Sequence, residues 1–179
     1  MNPRRAATYP DLPIEQLVRR KDTRFQFGFA AEAKRLVPEQ DEFILSASNK
    51  GLHVLGRNED SLSVPVQVLR EVYGPRLEVE PPRVRVIEGV QVQEPVMHVR
   101  VSLQTRDRDA VKRLLEARGA QLTEEYARST YCVLRYQAPL ANLLGLSAEL
   151  DELGAGSAKH WVALSHYALV PGDPGPRAA

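Results

Sequence analysis

Four histidines and one cysteine are the most chemically versatile side chains in this 179-residue chain. His160 and His166 lie six residues apart in one predicted strand, so the two-residue period of a strand places them on the same face. A zinc site would need a third ligand from another element. His53 and His98 fall in other predicted strands at no ligand-like spacing. We therefore expect no metal site.

The lone cysteine, Cys132, lies in the apolar, β-rich run 129–136. It cannot form an intramolecular disulfide, and free cysteines are usually buried, so we expect a core thiol. The pair His166-Tyr167 suits the end of an amphipathic strand, and general base catalysis there would need a nucleophile or acid that the spacing does not supply. We nominate no catalytic residue.

Several well-defined catalytic motifs do not occur in these residues. The chain has no Gly-x-x-x-x-Gly-Lys-Ser/Thr, Gly-x-Gly-x-x-Gly, Gly-x-Ser-x-Gly or His-Glu-x-x-His segment. These absences argue against P-loop, dinucleotide-binding, esterase and zinc-protease chemistry respectively. We expect neither an enzyme nor a bound cofactor.

The charges nearly cancel, with 24 Lys and Arg against 23 Asp and Glu. No global field would therefore attract nucleic acid or an anionic membrane, and any electrostatic site must be local. One basic cluster is Arg106, Arg108, Lys112 and Arg113, which either meets RNA phosphate or forms a solvated helix face balanced by acidic neighbours. The second interpretation is favoured. No apolar stretch approaches a membrane span, and we expect a cytoplasmic protein.

The second half of the chain predicts the element order βαββαβ. Residues 96–103 alternate apolar and polar side chains, as a half-buried strand does. Helical spacing of apolar residues in 107–118, followed by Gly119, predicts the first helix. The remaining predicted elements are strands 121–127 and 129–137, a helix from about Pro139 to Leu153, and a closing strand 159–169.

The first half predicts the same order less clearly. Its predicted elements are a strand 24–29, a helix 30–37, strands 42–48 and 51–55, a helix 64–73 and a strand 76–86. We start the second helix near Val64, with Ser63 as its cap, because Pro65 would remove a hydrogen bond inside a helix. Pro81-Pro82 interrupts the last strand and favours an edge position or a bend.

The order βαββαβ is the ferredoxin-like arrangement, so the predicted fold class is α+β with two ferredoxin-like domains in tandem. We expect a flexible N-terminal segment 1–22, a first domain 23–88, a second domain 89–170 and a disordered tail 171–179. In each domain two helices cover one face of the sheet. The other face is open and available to a partner.

Motif-like stretches in the first domain carry a family resemblance. Residues 32–43, then Gly51-Leu-His-Val-Leu-Gly56 and Glu59, resemble the third domain of the translational GTPases related to elongation factor G. The family's Gly-Met-Gly-Glu-Leu-His-Leu-Glu corresponds here to residues 56–63, which keep the first Gly, the Glu and the second Leu. The second Gly and the His are replaced.

The second domain resembles the fifth domain of the same family. The matching residues are Glu94-Pro95, Arg118-Gly119, Pro139-Leu140, Gly145, Leu150, Gly156, His166-Tyr167 and Pro171. From Pro139 to Pro171 the pattern fits without a gap. The family loop Ser-Met-Thr-x-Gly-Arg-Gly is replaced by residues 152–158, and Asp151 stands where the family has Arg.

A third domain joined to a fifth without the fourth is similar to the BipA-type ribosome-associated GTPases. In the family these two domains contact the ribosome near its factor-binding centre. The resemblance therefore implies a set of residues facing the ribosome or another partner. They are Arg118, Asn142, Gly154, Gly156, Ser157 and Lys159.

The expected function is that of a non-catalytic, elongation-factor-like protein without GTPase activity. Its expected partner is the ribosome, through ribosomal RNA or proteins, or a translation factor. The alternative is a repurposed ferredoxin-like scaffold or regulatory protein. Such a protein would self-associate as a homodimer, or bind another protein, through the open sheet faces.

Overall fold

A computed structural model describes residues 9–38, 40–154 and 158–170. The chain divides into two compact units, Met1–Arg85 and Val86–Ala179. Within the described residues each unit contains one antiparallel sheet and two α-helices, which confirms the predicted α+β class. Residues 1–8 of the expected N-terminal segment and the expected tail 171–179 lie outside the described residues.

The first unit has the ferredoxin-like element order. Its elements are β1 (Ile14–Arg20), α1 (Gln26–Leu36), β2 (Phe43–Ser48), β3 (Gly51–Gly56), α2 (Glu59–Tyr73), β4 (Leu77–Val79) and β5 (Arg83–Val84). The sheet order is β2-β3-β1-β4, and β5 also pairs with β1. Pro81 and Pro82 separate β4 from β5, as the predicted bend requires. Because β4 lies at the sheet edge, these prolines interrupt no central strand.

The first strand is not where the sequence places it. Residues 14–20, expected to be flexible, form β1 between β3 and β4, and the strand predicted at 24–29 is wrong. The alternating phenylalanines at 25, 27 and 29 imitate a strand, but α1 starts at Gln26 and only Phe29 is buried. In β1 only Ile14 and Val18 are fully buried, so the strand lacks a clear apolar alternation.

The second helix of this unit begins earlier than predicted. It starts at Glu59 rather than Val64, and Ser63 is an exposed helical residue instead of the cap. Asn58 is the N-cap, since its Oδ1 accepts the Ser61 backbone N–H at 2.9 Å. Ser61 Oγ in turn accepts the Asn58 backbone N–H at 3.3 Å, which completes a capping box. The helix tolerates Pro65, which is buried one turn later.

The second unit repeats the same order. Its elements are β6 (Gln93–Gln104), α3 (Arg108–Ala117), β7 (Gln121–Ala127), β8 (Tyr131–Pro139), α4 (Leu146–Gly154) and β9 (Lys159–Leu169), in the sheet order β7-β8-β6-β9. The helix predicted from Pro139 is divided. A 3₁₀ turn spans Leu140–Leu143, and Gly145, at φ 78°, separates it from α4. A positive φ interrupts a right-handed helix and favours glycine.

Alternation along β6 defines the two faces of the second sheet. Met97, Val99, Val101 and Leu103 are buried in the core, and the residues between them lie on the opposite face. Cys132 is also buried, as expected, and desolvation raises the pKa of its thiol. The face opposite the core is called the open face below.

One irregularity in β9 corrects the expectation about its histidines. Val96 pairs with His166 and Met97 pairs with Leu164, so Ser165 is an extra residue in a β-bulge. Beyond the bulge the alternation is shifted by one residue. His160 therefore lies on the core side while His166 lies on the open face, and the prediction that they share a face is wrong.

Candidate interaction surface

The end of α3 is joined to the segment before α4 by one arginine. Arg118 Nη1 donates to the carbonyls of Asn142, at 2.7 Å, and Leu144, at 3.0 Å. Its Nη2 lies 2.9 Å from Glu149 Oε1, and its Nε donates to the other carboxylate oxygen at 3.3 Å. Only 19% of the side chain is exposed. The guanidinium therefore holds the 3₁₀ turn and α4 against the end of α3.

A glycine makes this corner compact. Gly119 follows α3 at φ 73°, a conformation that side chains disfavour. A Cβ at Gly119 would also lie 3.3 Å from Asn142 Nδ2. The backbone thus approaches Asn142 closely, and the Asn142 residue remains exposed.

The residues implied by the resemblance lie in different places. Arg118 and Asn142 are brought together at this corner. Lys159 is exposed at the start of β9, where it pairs with Ser102 on the open face. Gly154 is the last residue of α4, and Gly156 and Ser157 lie outside the described residues. That any of them faces a partner stays a prediction.

A row of charged and aromatic side chains crosses the open face. In the strand register Glu124 is opposite Arg135, Arg135 is opposite Arg100, and Arg100 is opposite Trp161. Arg135 forms an ion pair with Glu124. Trp161 is 58% exposed, although tryptophan is usually well buried. An exposed indole beside guanidinium groups is suited to a flat or anionic partner.

This row borders a concave region of about 670 Å³, here called the open-face groove. Its lining consists of His98, Val99, Arg100, Thr123, Glu124, Arg135, Tyr136 and Trp161. The volume falls within the range of small-molecule sites, roughly 300 to 1,000 Å³. The groove is therefore large enough for a nucleotide-sized group.

A chain of polar side chains continues from the groove. Gln137 Nε2 lies 3.3 Å from His98 Nδ1 and 3.5 Å from Ser165 Oγ. Ser165 Oγ lies 3.0 Å from His166 Nδ1. The bulge at Ser165 thus brings its hydroxyl into a network that crosses β8, β6 and β9. These groups offer donors and acceptors to a ligand.

A second aromatic group lies on the same face, on β7 and β8. The rings of Tyr126 and Tyr131 are 6.2 Å apart between centroids, and both side chains are substantially exposed. The guanidinium carbon of Arg128 lies 5.2 Å from the centroid of the Tyr126 ring. This geometry is a cation–π contact. Exposed aromatic groups therefore occur on both edge strands of the open face, Tyr126 on β7 and Trp161 on β9.

The basic cluster around α3 is largely paired, in line with the favoured interpretation. Lys112 Nζ lies 2.8 Å from Glu125, and Arg108 lies 3.3 Å from the same carboxylate. Arg108 also contacts Asp109 at 2.9 Å, and these hydrogen bonds and charges raise the pKa of its guanidinium. The balancing residue Glu125 comes from β7, which the sequence alone did not indicate.

The first unit contains a hydrogen-bonded chain of an acid, a histidine and a serine. His53 Nδ1 bonds to Glu15, and its Nε2 lies 2.8 Å from Ser48 Oγ. Ser48 Oγ also accepts the Lys50 backbone N–H at 3.1 Å and donates to the Gly51 carbonyl at 3.3 Å. The hydroxyl is thus held in the turn between β2 and β3, where it stabilises the hairpin.

The described residues were also compared with the requirements of a metal site and of a membrane-spanning helix. Among them, no group of three or more His, Cys, Asp or Glu side chains could hold a metal ion. Of the helices in the same part of the chain, none is both long and apolar enough to cross a membrane.

Sequence reasoning found the open face but missed most of the side chains that line its groove. Alternation in β6 already placed His98 and Arg100 opposite the core. Arg135 and Trp161 belong to other strands, and only the register brings them beside Arg100. The signal available in the sequence was an aromatic residue, Trp161, within a predicted strand of a sheet with one open face.

Comparison with known proteins agrees with the architecture. Residues 91–178 match the family model described as "Elongation factor G C-terminus". The chain is 36% identical over 80 residues to Elongation factor G 2 of Hahella chejuensis (strain KCTC 2396), which is 44% of this chain and 12% of that protein. The chain thus spans about an eighth of the length of this curated relative.

A solved structure from Thermus thermophilus is similar in fold, with a TM-score of 0.64 and 14% sequence identity. The match covers 91% of this chain and 41% of the Thermus chain. At this identity the likeness concerns the fold alone. With the family match, it confirms the resemblance expected from the sequence. Residues 91–178 are thus similar to the elongation factor G C-terminus.

Proposed function

We propose that the protein is a translation-factor-like module that binds the ribosome or a translation factor without hydrolysing GTP. The observation that carries the proposal is the match of residues 91–178 to the elongation factor G C-terminus. The first unit would act as the third-domain-like partner of the second. Its ferredoxin-like order, β2-β3-β1-β4, is compatible with that assignment.

The proposed contact region includes the corner of Asn142 and the start of β9. Both Asn142 and Lys159 are exposed, as a contact residue must be. Arg118 acts on this region indirectly, because its hydrogen bonds to the Asn142 and Leu144 carbonyls position the turn. Lys159 supplies a positive charge for ribosomal RNA phosphate.

Co-sedimentation with purified ribosomes through sucrose tests this function. We expect saturable binding that weakens steeply between about 50 and 200 mM salt, because phosphate contacts release counterions. Lys159→Glu should weaken binding. Lys21→Glu makes the same change of charge at an exposed residue of the first unit and should leave binding unchanged.

Pelleting equal to that of an unrelated protein of similar charge would refute the ribosome contact. Equal losses for the two variants would instead show that net charge, rather than the proposed region, governs binding. A GTPase assay on the same preparation tests the second part of the proposal. Hydrolysis that co-purifies with the protein would contradict it.

Self-association is the second candidate function, and one observation favours it. On the open face of the second sheet, Trp161 and Tyr131 are 58% and 48% exposed. Exposed apolar side chains on one face are typical of a protein interaction surface. Sedimentation equilibrium should then show a concentration-dependent dimer, and a monomer throughout the accessible range would refute it.

A further inference from the structure

The charges of the open-face groove favour an anionic ligand. Arg100 and Arg135 line it together with one carboxylate, that of Glu124. Arg135 forms an ion pair with Glu124, whereas Arg100 has no ion-pair partner among the described residues. A guanidinium of this kind is suited to a phosphate group. Lys159 adds a further positive charge on the same face.

The aromatic side of the groove favours a planar ligand. Trp161 lies directly across the strand register from Arg100, and more than half of its surface is exposed. In single-stranded nucleic-acid complexes, bases stack on exposed aromatic side chains. The indole and the guanidinium are therefore spaced as neighbours on one face, as a base and its phosphate require.

Polar groups beside the indole supply hydrogen bonds to a base edge. His98 lines the groove, and Gln137 and Ser165 extend from it along the network described above. Single-stranded RNA is recognised by stacking on aromatic side chains, by hydrogen bonds to unstacked base edges and by contacts to the backbone. An acidic peptide would use the arginines but has no planar group that requires the indole.

We propose that the open-face groove binds an unstacked nucleotide of single-stranded RNA, with its base on Trp161 and its phosphate on Arg100. The groove volume of about 670 Å³ lies within the range of small-molecule sites. The groove residues Arg100, Arg135 and Trp161 are not part of the proposed ribosome contact, so free oligonucleotides test the groove and purified ribosomes test that contact. Either proposal can fail alone.

Trp161 is the only tryptophan of the chain, so intrinsic fluorescence reports on the groove directly. The full chain is titrated with an eight-nucleotide single-stranded RNA at low salt. We expect saturable quenching of the emission, with an affinity that falls as salt rises because phosphates release counterions on binding. An RNA duplex of the same length should quench weakly, since its bases are already stacked.

Three variants distinguish the groove from general basic attraction. Arg100→Gln should lower the affinity at least about fivefold and reduce its salt dependence. Trp161→Leu, followed by anisotropy of a labelled RNA, should lower the affinity at least about fivefold through lost stacking. The control is Arg113→Gln, which removes the same charge from an exposed position on α3. Circular dichroism confirms that each variant is folded.

Three results would overturn the proposal. The first is a Trp161 emission that does not respond to the single strand at any concentration used. The second is an equal loss of affinity in Arg113→Gln and Arg100→Gln. The third is quenching by a glutamate-rich peptide at lower concentrations than by RNA, which would identify the groove as a protein-docking site.

Discussion

Arg118 shows how one side chain can connect three segments of a small domain. Its guanidinium donates to two backbone carbonyls and pairs with Glu149 on α4. A family-based interpretation assigns this arginine to a partner contact. Its hydrogen bonds also make it a positioning residue for the turn that carries the exposed Asn142. A direct partner contact of Arg118 stays a prediction.

Replacing Arg118 should therefore destabilise the second unit. Arg118→Ala leaves the Asn142 and Leu144 carbonyls without their guanidinium donor, and we expect a loss of about 1 to 3 kcal/mol in the free energy of unfolding. Urea denaturation followed by circular dichroism measures it. Arg113→Ala, at an exposed position in the middle of α3, should change it by less than about 0.5 kcal/mol. Similar losses for both variants would contradict the positioning role.

Tyr136, unlike Arg118, lacks hydrogen bonds for its polar group. The side chain is fully buried, and its hydroxyl has no hydrogen-bond partner among the described residues. Burial and the nearby carboxylates of Glu116 and Glu125 raise the pKa of Tyr136 from 10.0 to about 12. At neutral pH, Tyr136→Phe removes an unsatisfied polar group and should leave stability unchanged or raise it by up to about 1 kcal/mol. Urea midpoints at pH 7 measure this.

The same tyrosine predicts a pH dependence with a definite sign. Its pKa is higher in the folded state, so the unfolded chain loses the proton first and is stabilised as pH rises. The contribution of Tyr136 to the free energy of unfolding should be fully present below about pH 10 and should be lost as the pH rises towards about 12. Tyr136→Phe should reduce this decline, and the remainder is expected from Tyr73, whose pKa burial and Glu32 also raise to about 12. An unchanged alkaline profile would show that Tyr136 titrates normally.

At the level of single elements, α2 shows how capping fixes a helix start. The Asn58–Ser61 capping box begins the helix at Glu59 although Pro65 follows six residues later, inside the helix. Asn58→Ala should cost about 0.5 to 2 kcal/mol, because a backbone N–H loses its acceptor. Ser63→Ala tests the rejected cap position and should be nearly neutral. Thermal denaturation of both variants measures the loss of stability. A larger loss for Ser63→Ala than for Asn58→Ala would show that Asn58 is not the N-cap.

A strand can be predicted from the sequence when its alternation of apolar and polar residues is long and regular. In β6, five buried residues alternate over the nine positions 95–103, and the strand was found from the sequence. In β1 only Ile14 and Val18 carry that signal, so the strand was missed. Alternating phenylalanines then suggested a false strand where α1 begins. Which segment becomes the strand depends on burial against residues distant in sequence, and a local pattern does not contain that information.

The candidate surface was predictable to the same extent. An open sheet face follows from the βαββαβ order, and His98 and Arg100 follow from the alternation of β6. The pairing of Arg100 with Trp161 depends on the register between β6 and β9, and that register includes a bulge. The bulge carries no recognisable sequence signal at Ser165, so the face of His166 was assigned incorrectly.

At the scale of the whole molecule, stability should be distributed unevenly within the second sheet. Strand β6 lies between β8 and β9, whereas β7 lies at an edge and all seven of its residues are exposed. We expect hydrogen exchange to be slowest in β6 and much faster in β7, since local opening is easiest where few side chains are buried. Mass spectrometry of peptides from the full chain measures this. Equal protection of the two strands would contradict it.

The extra residue at Ser165 also affects how this chain can change in length during evolution. Val96 pairs with His166 and Met97 with Leu164, so deleting Ser165 joins two segments that already have the correct partners. Deleting a residue such as Val162 would instead exchange core and open-face positions along part of the strand. Strand β9 thus contains a position where a one-residue deletion preserves both faces of the sheet, and relatives of different lengths could share the same core.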